Sequence, residues 1–394
     1  MQDSVLVINC GSSSLKFSLI HPASGEAVLS GLAEKLGHAD ASLTLRDATA
    51  KSVLSLAGGS HEAAMRVLVE VLQQRDLAHT VTAVGHRVVH GGEAFSASTR
   101  LDDTVLAAIA ACSRLAPLHN PANLLGIRVA KECFPTVPHV AVFDTAFHQT
   151  MPEHAYLYAV PMALYRDHGV RRYGFHGTSH RFVAAEAAQL LGRDLGQTAL
   201  ITAHLGNGAS VAAVLNGQSL DTSMGLTPLE GLVMGTRSGD VDPGLLQFIA
   251  DTENKTLAQV TDLLNKQSGL LGLSELSNDC RELQTAADAG HTGARVALAV
   301  FCYRLARHIA ALTVALPRLD ALVFTGGIGE NAVKIRATVL GHLAVLGFAV
   351  DDTANAKCVG GQAGVITAST SRTALVVNTN EELLIARDTA ALVG

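Results

Sequence analysis

Two short turns of small residues each separate a pair of apolar runs in this chain. The first turn is Gly-Ser-Ser-Ser at residues 11–14, and the second is Gly-Asn-Gly at residues 206–208. An apolar run, a tight polar turn and a second apolar run predict a β-hairpin. Turns of this composition expose backbone N–H groups and small hydroxyls that a phosphate can approach without steric hindrance. The repetition predicts a duplicated fold that binds the phosphates of a nucleotide, and therefore an enzyme.

The better-known phosphate motifs are missing from the sequence. The dipeptide Gly-Lys does not occur, so there is no Gly-x4-Gly-Lys-Ser/Thr loop. The pairs Gly206/Gly208 and Gly327/Gly329 both lack the third glycine of a dinucleotide-binding fingerprint. The phosphate site is therefore predicted to be of the hairpin type.

Several polar residues that are suited to anion chemistry lie on glycine-flanked loops or at the ends of predicted elements. They are His86 and Arg87, His119, Asp144, His176, and Arg237. A single histidine or arginine of this kind is more often structural, but several on such loops favour an active site. The planar guanidinium of arginine binds carboxylate or phosphate through two hydrogen bonds.

The elements that must position these residues can be predicted from apolar runs and turn signals. In the first half we predict strands near 4–10, 15–20, 27–32, 83–86 and 137–144, a helix from Asp102, and a helix capped by Asn120 with Pro121 at its first position. In the second half we predict the hairpin 199–215, a third strand after Asn216-Gly217, helices near 257–266 and 293–315, a strand at 320–325, a turn at 326–329, a helix from about Asn331, a strand at 373–377 and a helix at 380–391. The repeated order predicts an α/β protein with domains at 1–150 and 151–380, and helix 381–394 is predicted to pack back on the first domain.

Composition narrows the class of protein. With 394 residues, 48% hydrophobic and 16% charged, the chain is expected to form two well-packed domains. A net charge of −6 without a Lys/Arg block gives no footprint for nucleic acid. The six scattered cysteines have no zinc spacing and are expected to be reduced thiols. The first apolar run is interrupted at residues 9–14 and no run of 18 apolar residues follows, so we expect a cytoplasmic protein without a membrane partner.

Longer motifs now add a resemblance. The segments 171–180, 221–231, 234–240, 324–331 and 378–382, together with both turns, closely resemble the acetokinase family of acetate and propionate kinases over essentially the whole chain. The resemblance implies two duplicated ribonuclease-H-like domains of the acetate and sugar kinase/Hsc70/actin superfamily, hinged around a nucleotide cleft. It implies reversible phosphoryl transfer from ATP to acetate, giving acetyl phosphate and ADP. It also implies a requirement for Mg²⁺, with Mn²⁺ as the alternative ion, and a homodimer.

The resemblance also implies roles for individual residues. The implied catalytic residues are Asp144, His176, Arg237, Arg87 and His119, and the metal residues are Asn9 and Glu381. The implied acyl-substrate residues are Arg87, Val89, Leu118, Phe175 and Pro228. The implied ATP-binding residues are Ser12, Ser14, Lys16, His204, Leu205, Gly206, Asn207, Gly208, Asp279, Cys280, Arg281, Gly327, Ile328, Gly329, Glu330 and Asn331. His180 and His204 are weaker candidates for catalysis.

The chemistry of the acceptor restricts what these residues need to do. A carboxylate is already ionised at neutral pH, so no general base is needed. What remains is to position the reactants and to neutralise charge on the transferring phosphoryl group. Asp144 is therefore expected to orient Arg87, Arg237 or a metal-bound water rather than to abstract a proton.

Three alternatives remain. The first is a propionate kinase, against which Val89 argues because it narrows the acyl pocket, although one methylene decides only about 1–3 kcal/mol. The second is a nucleotide-driven chaperone or sensor of the same fold, which would need a peptide- or DNA-binding module and would have no use for the histidines and arginines above. The third is a nucleotide-binding protein that has lost catalysis, against which every matched motif position is filled.

Overall fold

A computed structural model describes residues 3–394 and divides them into two compact units. The first unit combines the chain up to Phe147 with Asn380–Gly394, and the second is His148–Thr379. The chain thus leaves the first unit once and returns to it with its last residues.

Both units contain β-strands. They are β1 (Ser4–Cys10), β2 (Leu15–Ile20), β3 (Ala27–Glu34), β4 (Ser42–Arg46), β5 (Lys51–Ser55), β6 (Val81–Val88), β7 (Thr99–Arg100), β8 (His139–Phe143), β9 (Ala199–Leu205), β10 (Ala209–Leu215), β11 (Gln218–Thr222), β12 (Ala321–Thr325), β13 (Gly364–Val365) and β14 (Thr373–Val376).

The helices follow the same order. They are α1 (His61–Gln74), α2 (Asp103–Ala111), α3 (Asn120–Cys133), α4 (Glu153–Tyr156), α5 (Met162–His168), α6 (Gly177–Leu190), α7 (Gly244–Thr252), α8 (Leu257–Lys266), α9 (Gly269–Ser274), α10 (Cys280–Asp288), α11 (Thr292–Leu312), α12 (Gly326–Asn331), α13 (Val333–His342), α14 (Asp352–Lys357) and α15 (Glu381–Val393).

The two sheets share a five-stranded pattern. Among the described residues, the first sheet has the order β5-β4-β3-β2-β1-β6-β8-β7 and the second β11-β10-β9-β12-β14-β13. In both, an antiparallel meander (β3-β2-β1 or β11-β10-β9) continues into two parallel strands (β6 and β8, or β12 and β14). The predicted α/β fold with a duplicated domain is confirmed. Strands β4, β5 and β7, which the sequence analysis did not predict, extend the first sheet at its two edges.

This topology brings the ends of distant strands together. In the first unit β1, β6 and β8 are parallel, so their carboxyl ends lie at one edge of the sheet, where α/β proteins bind ligands. Asn9 and Arg87 lie near the ends of their strands, and Asp144 follows the end of β8 directly. The edge therefore gathers three residues that are far apart in the sequence.

Helix α15 covers the face of this sheet against β1, β6 and β8. Its close approach requires Gly85 on β6, because a Cβ there would lie 2.5 Å from Thr389 Oγ1 and 2.8 Å from Ile385 Cγ2. The apolar core on the other face lies between the sheet and helices α1 and α3, around Phe17, Leu43 and Leu68.

Two local predictions were wrong. Asn120 does not cap α3: His119 occupies the cap position, and the Asn120 side chain instead bonds the backbone of His90. The segment predicted as a turn at 326–329 is the short helix α12, because the Glu330 carboxylate accepts a hydrogen bond from the Gly326 N–H at the start of the helix. In the first case the tertiary fold gives the Asn120 side chain a partner that is distant in the sequence. In the second case the partner of Glu330 lies four residues earlier, one helical turn away.

Helix α11, prolonged to Ala315, is long and apolar enough to cross a membrane by length and composition alone. In the fold, 44% of its most apolar window is buried. It packs against β10 and against helices α9, α10 and α13. A core helix passes the same test of length and composition, so this one helix is weak evidence for a membrane span.

Candidate active site

The first unit holds a buried ion pair at the carboxyl edge of its sheet. Arg87 Nε donates to Asp144 Oδ1 at 2.9 Å and Arg87 Nη2 donates to Asp144 Oδ2 at 2.7 Å. The Asp144 side chain is only 2% exposed. A two-bond pair of this kind fixes the plane of the guanidinium. Of the three partners expected for Asp144, the structure gives it Arg87.

Two acidic side chains, Glu381 and Glu382, lie in the first helical turn of α15. Burial disfavours the charged guanidinium of Arg87, but the carboxylates of Asp144 and Glu381 outweigh that effect and raise its pKa. Burial raises the pKa of the Glu381 carboxyl, against the lowering effect of Arg87. Glu382 forms an ion pair with Lys16 of β2. The positive charges of Arg87 and Lys16 thus offset the carboxylates near the start of α15.

The residues expected to bind a metal fit a magnesium ion. Asn9 is half-buried at the end of β1, directly opposite Lys16 in the hairpin register, and Glu381 begins α15. Mg²⁺ prefers oxygen ligands and keeps several waters beside one or two protein groups. Within residues 3–394 no cluster of three His, Cys, Asp or Glu side chains forms a richer metal site. The amide and the carboxylate would therefore hold the ion together with water.

Two asparagine side chains of α3 hold the loop after β6, and the sequence analysis missed both. Asn123 Oδ1 accepts from the Val89 N–H at 3.0 Å, and Asn123 Nδ2 donates to the Cys10 carbonyl at 2.8 Å. Asn120 bonds both the N–H and the carbonyl of His90. Asn123 thereby links the end of β1 to the residue expected to shape the acyl pocket.

The expected acyl-binding residues differ in exposure. Val89 is 8% exposed and Phe175 2%, whereas Leu118 is 62% exposed. The Pro228 carbonyl accepts a hydrogen bond from Arg237 Nη1 at 3.2 Å. Val89 and Leu118 belong to the first unit and Phe175 and Pro228 to the second, and their union in one pocket stays a prediction. His119 is half-buried at the start of α3.

The second turn, between β9 and β10, is flanked by two cationic or hydrogen-bonding side chains. A Cβ added to Gly208 would lie 3.3 Å from His176 Nε2 and 3.4 Å from Arg237 Nη1. Gly208 therefore lets both groups lie close to the turn, where a side chain at this position would crowd them. Burial lowers the pKa of Arg237. Among the described residues Arg237 forms no ion pair with a carboxylate, so its charge is available to an anion.

Histidines surround this turn. The rings of His176 and His204 stack with centroids 4.4 Å apart, and His204 Nδ1 is hydrogen-bonded to Ser179 Oγ at 2.8 Å. His180 is fully buried behind them, and burial lowers its pKa well below the ordinary value. His180 therefore does not reach solvent, and its role is indirect.

A cavity of about 790 Å³ opens beside the second turn, entirely within the second unit. Many of its walls are residues expected to bind ATP, namely Gly206, Asn207, Asp279, Cys280, Arg281, Gly327, Ile328 and Asn331. Asp279 caps α10 and pairs with Arg281 at 2.6 Å. The volume and the mixed lining suit a nucleoside.

Other wall residues were not predicted. They are Asn278, Gln284, Thr285, Asp288, Ala332, Val333, Lys334 and Ile335. Asn278 Nδ2 donates to Asn207 Oδ1 at 3.0 Å and so joins the cavity wall to the turn. Leu205 is buried under the turn, and Glu330 is turned back onto the N–H groups of Gly326 and Thr379. Ser12 is exposed and Ser14 half-buried in the first turn, which belongs to the first unit.

Two units with the same sheet topology, one carrying a carboxylate-rich edge and the other a glycine turn beside a large cavity, define a two-domain kinase architecture. The comparison with protein families agrees: the model of the acetokinase family matches residues 4–387. The chain belongs to the acetokinase family, and the predicted resemblance is confirmed.

Individual relatives are similar over their whole lengths. An acetate kinase of Chromobacterium violaceum is 60% identical over 394 residues, covering 100% of this chain and 99% of the relative. A crystal structure of Porphyromonas gingivalis acetate kinase has a TM-score of 0.94 at 45% identity and covers 100% of both chains. A crystal structure of a propionate kinase from Francisella tularensis has a TM-score of 0.95 at 45% identity and covers 99% of both.

Proposed function

We propose that this protein is an acetate kinase, which transfers a phosphoryl group reversibly between ATP and acetate. The observation that carries the proposal is the glycine turn at Gly208, beside which His176 Nε2 and Arg237 Nη1 both lie, in a chain that belongs to the acetokinase family. The adjoining cavity supports a nucleoside as the other part of the ligand.

On the phosphoryl side, the second unit supplies charge and hydrogen bonds. Phosphoryl transfer depends chiefly on positioning and on stabilising the charge of the equatorial oxygens. Within residues 3–394 Arg237 has no carboxylate partner, so its charge can act on those oxygens. His176 donates from Nε2, and the backbone of the turn contributes N–H groups without a Cβ in the way.

On the acceptor side, Arg87 is held ready by Asp144. Both oxygens of Asp144 accept from Arg87, so the carboxylate orients the guanidinium and does not take a proton from the substrate. Arg87 retains an Nη1 group with which it can bind the carboxylate of acetate. Acetate is already ionised, so its oxygen attacks without a base.

The residues Asn9 and Glu381 are proposed to hold Mg²⁺. When bound, the ion neutralises negative charge on the polyphosphate and stabilises the leaving group. Lys16 lies beside Asn9 in the hairpin register and is proposed to bind the same polyphosphate, with Glu382 as its partner in the absence of ligand. We also propose a homodimer, which rests on the family resemblance, and a cytoplasmic location, which rests on the interruption of the first apolar run at residues 9–14.

The second candidate function is propionate kinase. It is supported by the structural similarity of this chain to the propionate kinase from Francisella tularensis, with a TM-score of 0.95. Buried Val89 favours acetate, because a larger residue at the floor of an apolar pocket disfavours a longer acyl chain.

The test is a hydroxamate assay that traps acyl phosphate from ATP, Mg²⁺ and a panel of short carboxylic acids. We expect acetyl hydroxamate, with a higher kcat/KM for acetate than for propionate. A preference for propionate would replace the first candidate by the second. ATP hydrolysis without any acyl hydroxamate would contradict both.

A further inference from the structure

A buried chain of hydrogen bonds runs from His176 into the core of the second unit. His176 Nδ1 is bonded to Ser210 Oγ at 2.8 Å, Ser210 Oγ to His180 Nε2 at 2.8 Å, and His180 Nδ1 to Thr202 Oγ1 at 2.7 Å. Ser210, His180 and Thr202 are each fully buried, on β10, α6 and β9. The chain is therefore shielded from water and rests on three elements of the fold.

The Thr202 end of this hydrogen-bond chain shows which atom of each bond is the donor. The Thr202 hydroxyl has the Ala212 carbonyl as another acceptor, but at 3.5 Å against 2.7 Å to His180 Nδ1. Because Thr202 is buried, its hydroxyl proton needs an acceptor, and the Ala212 carbonyl at 3.5 Å is a poor one. The hydroxyl therefore donates to Nδ1 of His180.

The donors of the other two hydrogen bonds follow from this one. His180 is neutral because burial lowers its pKa far below the ordinary value, so it carries one proton. With Nδ1 accepting, that proton is on Nε2 and is donated to Ser210 Oγ. The Ser210 hydroxyl in turn donates to Nδ1 of His176.

We propose that His180 and Ser210 are positioning residues that hold His176 as the neutral tautomer with its proton on Nε2. Nε2 is the ring nitrogen that lies beside Gly208, 3.3 Å from where a Cβ would be. His176 then presents a hydrogen-bond donor to the phosphoryl group without carrying a charge. This role rests on the proposed function, because it concerns the group that His176 would bind.

The backbone of His176 shows why such a support is needed. Its φ of 58° lies in the left-handed region, immediately before α6. A residue other than glycine in this conformation carries a strain of about 1–3 kcal/mol and persists only where its surroundings impose it. The bond to Ser210 and the stacking on His204 hold the ring from two sides.

The first test compares Ser210→Ala with Ser219→Ala. Ser219 Oγ forms an equivalent buried bond of 2.7 Å with His148 Nδ1, outside the chain described above. Because each variant loses one buried hydroxyl, a purely structural role would affect both alike. We expect kcat to fall about 10- to 100-fold in Ser210→Ala, as for other partners that orient a functional histidine, with KM for ATP nearly unchanged. The Ser219→Ala chain should keep the wild-type kcat. Equal losses of kcat in the two variants would overturn the proposal.

The second test reads the tautomers directly. In the ligand-free wild-type protein labelled with ¹⁵N-histidine, the ring nitrogen shifts of His176 and His180 should both report protonation at Nε2. In Ser210→Ala the His176 signals should move toward a mixture of tautomers, which also assigns them. A His176 protonated at Nδ1 in the wild-type protein would overturn the proposal, even if the Ser210→Ala chain fails to fold.

These readouts separate the two proposals. The nitrogen shifts need no turnover, so they decide the role of His180 and Ser210 even if the enzyme forms no acyl phosphate. A missing acyl hydroxamate in the wild-type assay would refute the proposed function and leave the tautomer result intact.

Discussion

The turn after β1 and the turn after β9 occupy the same place in the duplicated sheet, yet their surroundings differ. Around the first turn lie charges: the Arg87–Asp144 pair, the Glu382–Lys16 pair and Glu381. Around the second turn lie hydrogen-bonded histidines and one arginine, Arg237, that has no carboxylate partner among the described residues. The same strand order therefore supports two different kinds of site.

The difference shows what duplication of a fold contributes and what it leaves to side chains. The topology places a turn at the carboxyl edge of each sheet and leaves room for a ligand. Carboxylates suit a cation and the neighbouring Arg87 suits a small anionic acceptor, whereas glycine, histidine and the Arg237 guanidinium suit phosphate oxygens. Substitutions in each of the two sites test this division.

Arg237→Ala should abolish most activity without loss of stability. Removing an arginine that stabilises transferring phosphoryl charge costs about 10³- to 10⁵-fold in kcat. No carboxylate is left unpaired, because Arg237 forms no ion pair among the described residues, so the urea midpoint should stay near the wild-type value. A variant that loses stability in proportion to activity would contradict the assignment of Arg237 as a free cation.

Arg87→Ala should lose both activity and stability. It leaves the buried carboxylate of Asp144 without a partner, and breaking a buried pair in this way costs about 3–5 kcal/mol. The double variant Arg87→Ala/Asp144→Asn should regain much of this stability but none of the activity, as measured by urea unfolding and the hydroxamate assay. If the double variant is no more stable than Arg87→Ala, the ion pair does not account for the loss.

Glu381→Gln should raise the Mg²⁺ concentration needed for half-maximal activity. A change at a group that holds a metal or its surroundings typically costs about 10- to 100-fold in metal affinity. Glu382→Gln is the matched control, because that carboxylate is engaged by Lys16 and should change the requirement less. A magnesium titration in which the two variants behave alike would remove Glu381 from the metal site.

Acid should destabilise the second unit through its neutral histidines. Burial lowers the pKa of His148 to about 4, below the ordinary value of 6.5. The unfolded chain therefore binds this proton more readily, so the stability contributed is complete above about pH 6.5 and is lost as the pH falls toward 4. Between pH 7 and 5 the loss is about 2 kcal/mol for this residue. Urea unfolding followed by circular dichroism should show a smaller fall in His148→Gln over the same interval. An unchanged fall would mean that His148 is not the neutral group.

The parts of the fold that local signals control were predictable. Glycine and serine mark both hairpin turns, and Asn216-Gly217 predicted the turn before β11, where both residues adopt positive φ values of 53° and 78°. Asp102 was predicted at the start of α2, and it caps that helix. In each case the residues that decide the conformation are neighbours in the sequence.

The supports of the candidate site could not be predicted in this way. Asn123 joins Cys10, 113 residues away, and Ser210 joins His180, 30 residues away. Nothing in the local sequence of an asparagine in a helix or a serine in a strand indicates such a partner. Strand β5 escaped prediction for another reason, since all its residues are exposed and no apolar alternation marks it.

The return of α15 to the first unit has a consequence for the synthesis of the protein. Residues 380–394 leave the ribosome after the whole second unit, yet they cover the first sheet over β1, β6 and β8. Gly85 lies against this helix, so the sheet around Gly85 stays uncovered until α15 has been synthesised. During translation the second unit can fold as a unit, while the first must wait for α15. The first unit therefore receives Glu381 and Glu382 only after the whole second unit has been synthesised.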